Sequence, residues 1–146
     1  MKLNTKKGFD FGINILDVEV PAALRKRVKT GVDYIDGSFG GQGLTPSSVT
    51  LFTGTPGAGK TTMMLNLADK LSKNGATVVF NTCEESLFQV KMTAERLRLR
   101  TGFAVGEEEM VPTLLEQCDK LREKNPKAPF ILIVDSLQTL NCGKYG

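Results

Sequence analysis

Residues 54–62, Gly-Thr-Pro-Gly-Ala-Gly-Lys-Thr-Thr, decide the fold of this chain. They fit the phosphate-loop pattern G-x-x-x-x-G-K-[ST] at every fixed position. The apolar, β-prone residues 49–53 precede them, and the helix-like residues 63–71 follow. A glycine-rich loop between a strand and a helix directs backbone N–H groups, and the positive end of the helix dipole, toward a bound phosphate. The sequence therefore predicts a nucleotide site made of Gly54, Thr55, Pro56, Gly57, Ala58, Gly59, Lys60, Thr61 and Thr62.

Three residues of this loop have separate predicted roles. Lys60 supplies a mobile cation for the β- and γ-phosphates of ATP or ADP, and we count it among the catalytic residues. The Thr61 hydroxyl can ligate Mg²⁺. Thr62 belongs to the predicted nucleotide-binding set, with packing or capping in the first helical turn as its alternative role.

The rest of the chain alternates between strand-like and helix-like segments. Continuous apolar runs at 77–80 and 130–134 predict strands buried on both faces, and 103–105 is a third, shorter strand. Helices are predicted over 86–99 and 111–124, and Asn74-Gly75 is expected to end the helix that follows the phosphate loop. This alternation is typical of an α/β fold with a parallel sheet and flanking helices.

Carboxylates follow two of these strands directly. Asp135 ends the 130–134 run, at the sheet edge where ligands bind in open α/β sheets, and there it can hold Mg²⁺ through water. Glu84 and Glu85 follow the 77–80 strand, and one of them, with Glu84 favoured, is expected to activate the attacking water. The alternatives are a turn-forming aspartate and two helix-capping glutamates. Gln138 is a further possible sensor of the γ-phosphate or a solvated loop amide.

Composition excludes several classes of protein. The chain has 146 residues, a net charge of +3, no histidine and three cysteines far apart, so histidine metal sites are excluded and a disulfide framework is disfavoured. No apolar run reaches the roughly 20 residues that span a bilayer, and the N-terminus has no signal-peptide pattern. We expect a cytoplasmic protein without membrane partners.

Two segments and two basic clusters complete the outline. Residues 1–29 are predicted to be a peripheral N-terminal segment, and residues 30–146 the core. One basic cluster lies at residues 25–29 and another at residues 91–100. Either could contact the phosphates of a polynucleotide, although a solvated helix face is the commoner explanation.

The combination of segments resembles RecA-like P-loop ATPase domains. Residues 30–36 (TGVDYID), Gly40-Gly41 and the phosphate loop are similar to the opening of such domains. Residues 84–97, which begin Glu-Glu-Ser-Leu, and residues 134–139 (VDSLQT) resemble the RadA/Sms branch. The resemblance covers about residues 21–140. KaiC-type ATPases resemble the chain at the paired glutamates as well.

The resemblance implies that Glu84 is the family's catalytic glutamate and Asp135 its Mg²⁺-linked aspartate. It implies Mg²⁺-dependent ATP hydrolysis in DNA recombination or repair, DNA binding, and assembly of the complete protein as a ring or filament. The alternatives are a KaiC-like signalling ATPase that acts on protein partners and an inactive nucleotide-binding fragment. Residues 1–29 lack the four cysteines of the RadA/Sms zinc module, and the chain resembles the front half of the domain, incomplete at its C-terminus.

Overall fold

The computed structural model describes residues 11–51 and 58–142. Two short helices, α1 (Ala22–Arg25) and α2 (Asp33–Ser38), precede the long helix α3 (Ala58–Lys73). The chain then alternates through β1 (Thr77–Thr82), α4 (Leu87–Arg96), β2 (Ala104–Gly106), α5 (Val111–Lys124) and β3 (Phe130–Asp135). Single 3₁₀ turns lie at Ile15–Asp17 and Leu137–Thr139.

The described strands form one parallel sheet in the order β2-β1-β3. The register pairs Thr77 with Phe130 and Thr82 with Asp135, so β1 and β3 run side by side over their full length. This arrangement confirms the predicted α/β fold with a parallel sheet and flanking helices. Because all three strands are parallel, the residues that follow them meet at one edge of the sheet, the carboxyl edge.

Helices cover the two faces of the sheet in different numbers. Val78 and Phe80 of β1 belong to the main core cluster together with residues of α3 and with Val90 of α4. Val79 and Asn81 point to the opposite face, where they line a cavity of about 150 Å³ together with Leu114 and Cys118 of α5. Period-two alternation along β1 therefore assigns α3 and α4 to one face and α5 to the other.

The boundaries of the elements confirm most of the sequence predictions, but α3 begins before residue 63, at Ala58, and α4 ends before residue 99. Gly75 adopts a φ of +96° just after α3, as expected for the residue that ends a helix. The helix predicted over 86–99 ends earlier, at Arg96, because Leu97 is its C-cap and Arg98 takes a φ of +55°. A left-handed residue cannot continue a right-handed helix, so the chain turns toward β2 at this point.

The predicted strand at residues 49–53 is wrong over its described part. Residues 49–51 form no strand, and the side chains of Val49 and Leu51 are 100% and 70% exposed. A strand requires a neighbour that accepts and donates its backbone hydrogen bonds. The paired strands of the described sheet bond to one another, and none of them pairs with this segment.

Candidate nucleotide and magnesium site

The central contact of the site joins α3 to the end of β3. The Thr61 Oγ1 hydroxyl donates a hydrogen bond to Asp135 Oδ2 at 3.0 Å. Thr61 lies in the first turn of α3, where the helix dipole is positive, and Asp135 is the last residue of β3, 8% exposed. The helix that begins in the phosphate loop therefore starts beside the aspartate that the sequence predicts for Mg²⁺.

These two side chains offer the donors that Mg²⁺ prefers. A hydroxyl and a carboxylate are both hard oxygen ligands, and Mg²⁺ in nucleotide sites keeps most of its shell as water and phosphate oxygens. Across residues 11–51 and 58–142, no group of three or more His, Cys, Asp or Glu side chains could hold a metal alone. A magnesium ion held jointly by Thr61, Asp135 and a nucleotide fits this donor set.

The remaining loop residues are described unequally. Lys60 and Thr62 lie in α3 and are half-buried, and Gly59 is exposed. The predicted nucleotide-binding residues Gly54, Thr55, Pro56 and Gly57 lie outside the described residues, as does the side chain of Ala58.

The predicted water-activating pair lies in a loop that the structure holds at three points. Cys83, which directly precedes Glu84, donates its backbone N–H to the Asp135 carbonyl at 2.9 Å, so the pairing with β3 continues one residue past the end of β1. The Thr82 hydroxyl donates to the Glu85 carbonyl at 2.8 Å and accepts from the Glu85 N–H at 3.3 Å. The backbone of the pair is thus fixed relative to Asp135.

The third point of attachment is the start of α4. Ser86 and Gln89 form a reciprocal capping box, in which the Ser86 side chain accepts from the Gln89 N–H and the Gln89 side chain from the Ser86 N–H. The glutamates Glu84 and Glu85 therefore precede the cap and do not form it. The Glu84 side chain is exposed and that of Glu85 is half-buried.

One contact of this region has no clear signal in the sequence. The Glu107 carboxylate, in the loop after β2, accepts a hydrogen bond from the backbone N–H of Leu87. The backbone of the next residue, Glu108, forms two hydrogen bonds with the buried Asn81 side chain. The Asn81 amide nitrogen donates to the Glu108 carbonyl at 2.9 Å, and the Asn81 amide oxygen accepts from the Glu108 N–H at 3.0 Å. Glu107 thus ties the β2 end of the sheet to the helix that follows Glu84 and Glu85.

Gln138, the possible sensor of the γ-phosphate, is exposed in the Leu137–Thr139 turn. The turn follows Asp135 and Ser136, and the Ser136 hydroxyl is a buried group without a hydrogen-bond partner in the described part of the chain. The structure thus places Gln138 three residues beyond the aspartate at the same edge of the sheet.

Comparison with known proteins gives the class first. The family described as "ATPase: KaiC" matches residues 28–140, which contain every element from α2 to β3. The chain belongs to this family of RecA-type P-loop ATPases.

Individual relatives refine this placement. The chain is 34% identical over 125 residues to the DNA repair protein RadA of Mycobacterium tuberculosis, and 38% identical over 119 residues to RadA of Campylobacter jejuni. It is 37% identical over 124 residues to RadA of Haemophilus influenzae. These matches cover 81–84% of the chain but 25% of each relative, so the chain spans about a quarter of their length. The predicted resemblance to the RadA/Sms branch is confirmed.

No helix within the described residues is both long and apolar enough to cross a bilayer.

Proposed function

We propose that the chain binds Mg²⁺-ATP where α3 begins and β3 ends, and that it hydrolyses ATP in DNA repair or recombination. The observation that carries the proposal is the 3.0 Å hydrogen bond from Thr61 to Asp135. It joins the two residues that P-loop ATPases use for the metal ion, from segments 74 positions apart.

Each protein group has one task in the proposed reaction. Lys60 would bind the β- and γ-phosphate oxygens, and Thr61 and Asp135 would hold the metal ion, Asp135 through water. Bound Mg²⁺ neutralises the charge that develops on the phosphate oxygens. Glu84 orients and polarises the attacking water, and Glu85 is the alternative residue for this task, because both follow β1 at the carboxyl edge. Gln138 is proposed to sense the γ-phosphate.

The proposal that ATP hydrolysis is coupled to DNA rests on relatives that are longer than this chain. The names of those relatives describe DNA repair proteins. We propose DNA as the partner and a ring or filament of identical subunits as the assembly of the complete protein. The boundary between the peripheral residues 1–29 and the core 30–146, and the cytoplasmic location, stay predictions.

A second function has its own support. The description of the matching family names KaiC, and this name favours a signalling ATPase that acts on protein partners. Stimulation of the ATPase by single-stranded DNA supports the repair function, and a rate that DNA leaves unchanged supports the KaiC-like function. The third alternative is binding without hydrolysis.

The test of the proposed function is a nucleotide titration with two arms. Fluorescent ADP or ATP is titrated in Mg²⁺ and in EDTA, and hydrolysis is followed at stoichiometric ATP. Binding that needs Mg²⁺, followed by turnover, supports the proposal. Tight binding without turnover leaves the nucleotide-binding alternative, and absence of binding overturns both.

A further inference from the structure

The connections of the sheet bring three helix ends to one edge. α3 ends shortly before β1, α4 before β2, and α5 before β3. Because the strands are parallel, their first residues share an edge, which we call the amino edge. It lies opposite the carboxyl edge with Glu84 and Asp135.

This edge is rich in exposed cations. We define the amino-edge surface by eight exposed residues in the last turns of these helices and the loops that follow, namely Lys70, Lys73, Arg96, Arg98, Arg100, Arg122, Lys124 and Lys127. Within the described residues, only Arg122 of this set makes an ion pair, with Asp119 at 3.5 Å. Its other cations therefore present their charges to solvent.

The helix dipole explains only part of this surface. Lysine and arginine are favourable in the last turn of a helix, which accounts for the cations at the ends of α3, α4 and α5. Arg98, Arg100 and Lys127 lie in loops beyond those helices, so the dipole does not account for them.

The loop that carries Arg98 and Arg100 is held in place. Leu97 and Leu99 are partly buried and pack against the core, and the arginines between and beyond them are exposed. The Asp69 carboxylate accepts hydrogen bonds from the backbone N–H groups of Arg100, Thr101 and Gly102, at 3.3, 3.1 and 2.8 Å. A fixed backbone reduces the entropy lost when these side chains bind a ligand.

The chemistry of the surface selects the ligand. Guanidinium groups match phosphate oxygens bidentately, and several cations on one surface fit a ligand with repeated phosphates. Residues 70–73, 96–100 and 122–127 contribute no exposed large apolar side chain, which a membrane anchor or a protein hot spot would require. We propose that the amino-edge surface binds the phosphate backbone of nucleic acid, apart from the nucleotide site. This inference rests on the proposed role in DNA repair.

The test measures binding of a fluorescent single-stranded oligonucleotide of about 20 nucleotides to the chain without nucleotide, by anisotropy at several salt concentrations. Two variants each remove two charges from the surface, R98Q/R100Q and K124Q/K127Q. The control K91Q/K120Q removes two exposed lysines of α4 and α5 that pair with acids in their own helices. We expect each surface variant to weaken binding roughly tenfold and to reduce the salt slope by about 1.4, against at most about twofold for the control.

Three results would overturn the inference. These are a wild-type chain that binds no oligonucleotide, a control that loses as much affinity as the surface variants, and phosphatidylserine vesicles that bind through the same arginines more tightly than DNA. Nucleotide titration of the same variants separates this inference from the proposed function. The K60A variant is expected to lose ATP binding and to keep DNA binding, so each idea can fail alone.

Discussion

The Thr61 hydroxyl lies 3.0 Å from the Asp135 carboxylate, although 74 residues separate them in the chain. The contact exists because α3 begins at the carboxyl edge and β3 ends there, so the first turn of the helix meets the last residue of the strand. The proposed magnesium nucleotide site rests on this contact, and the first three predictions test that site.

Replacing Lys60 by alanine should abolish most nucleotide affinity, because it removes the one cation that the motif directs at the β- and γ-phosphates. We expect a loss of at least about tenfold, on the scale of one charged hydrogen bond. Titration with fluorescent ATP measures it. Lys70→Ala removes a lysine from the other end of α3 and should bind as the wild type does. Equal affinity of the wild type and Lys60→Ala would contradict the assignment.

Thr61→Val and Asp135→Asn should each reduce the gain in ATP affinity that Mg²⁺ provides, because each removes an oxygen donor or a charge. The two residues are in contact, so the double variant should lose less than the sum of the single losses. Titrations in Mg²⁺ and in EDTA measure the cycle, and Thr101→Val, an exposed threonine in the loop between α4 and β2, is the control. Strictly additive losses would show that the residues act on separate steps.

Glu84→Gln should keep nucleotide affinity and lower single-turnover hydrolysis by about 100-fold or more, the scale of a general base. Glu85→Gln should cost less, because the Glu85 backbone is bonded to Thr82 and its side chain is more buried than that of Glu84. Quench-flow with radiolabelled ATP measures both variants. A larger loss for Glu85→Gln reverses the order of the pair.

Asp36 should make stability depend on acid pH. Burial by itself would raise the pKa of Asp36, but hydrogen bonds from Thr30 and Gly31, with the Lys29 charge, hold the pKa below its ordinary value. A lowered pKa in the folded state stabilises the protein above the unfolded-state pKa of about 3.9. That contribution is lost as the pH falls through the folded-state value.

The Asp36→Asn variant tests this dependence in urea denaturation. At neutral pH we expect a loss of about 1–3 kcal/mol in unfolding free energy, because the carboxylate accepts hydrogen bonds from Thr30 and Gly31. The difference from the wild type should shrink below about pH 4. Asp33→Asn, at the exposed start of α2, is the control and should change stability little. A difference independent of pH would disprove the role of charge.

The edge of β3 that faces away from β1 should promote self-association. Among the described residues β3 pairs with β1 only, and β3 is strongly apolar, so we expect this edge to pair between copies of the chain. Sedimentation should show association that increases with concentration. Leu132→Lys should reduce it, whereas Val105→Lys, on the edge strand at the other side, should not. This expectation would be contradicted by a chain that stays monomeric as its concentration is raised, melts at high temperature and hydrolyses ATP rapidly.

Local patterns in the sequence predicted the elements that depend on local forces. The motif at residues 54–62 predicted a helix that follows it, although α3 begins inside the motif at Ala58; Gly75 predicted the end of α3, and the apolar run at 130–134 predicted the strand β3. Helical periodicity, glycine in the left-handed region and continuous apolar runs all act within a few neighbours, so a sequence displays them directly.

Only the tertiary structure decided which distant groups meet. The Thr61–Asp135 and Glu107–Leu87 contacts, and the cations gathered at the amino edge, depend on the strand order β2-β1-β3. The same dependence explains the incorrect strand at residues 49–51, whose β-prone sequence has no described partner. A helix forms its hydrogen bonds within itself, but a strand requires a neighbour that is often far away in the chain, and no local pattern specifies that neighbour.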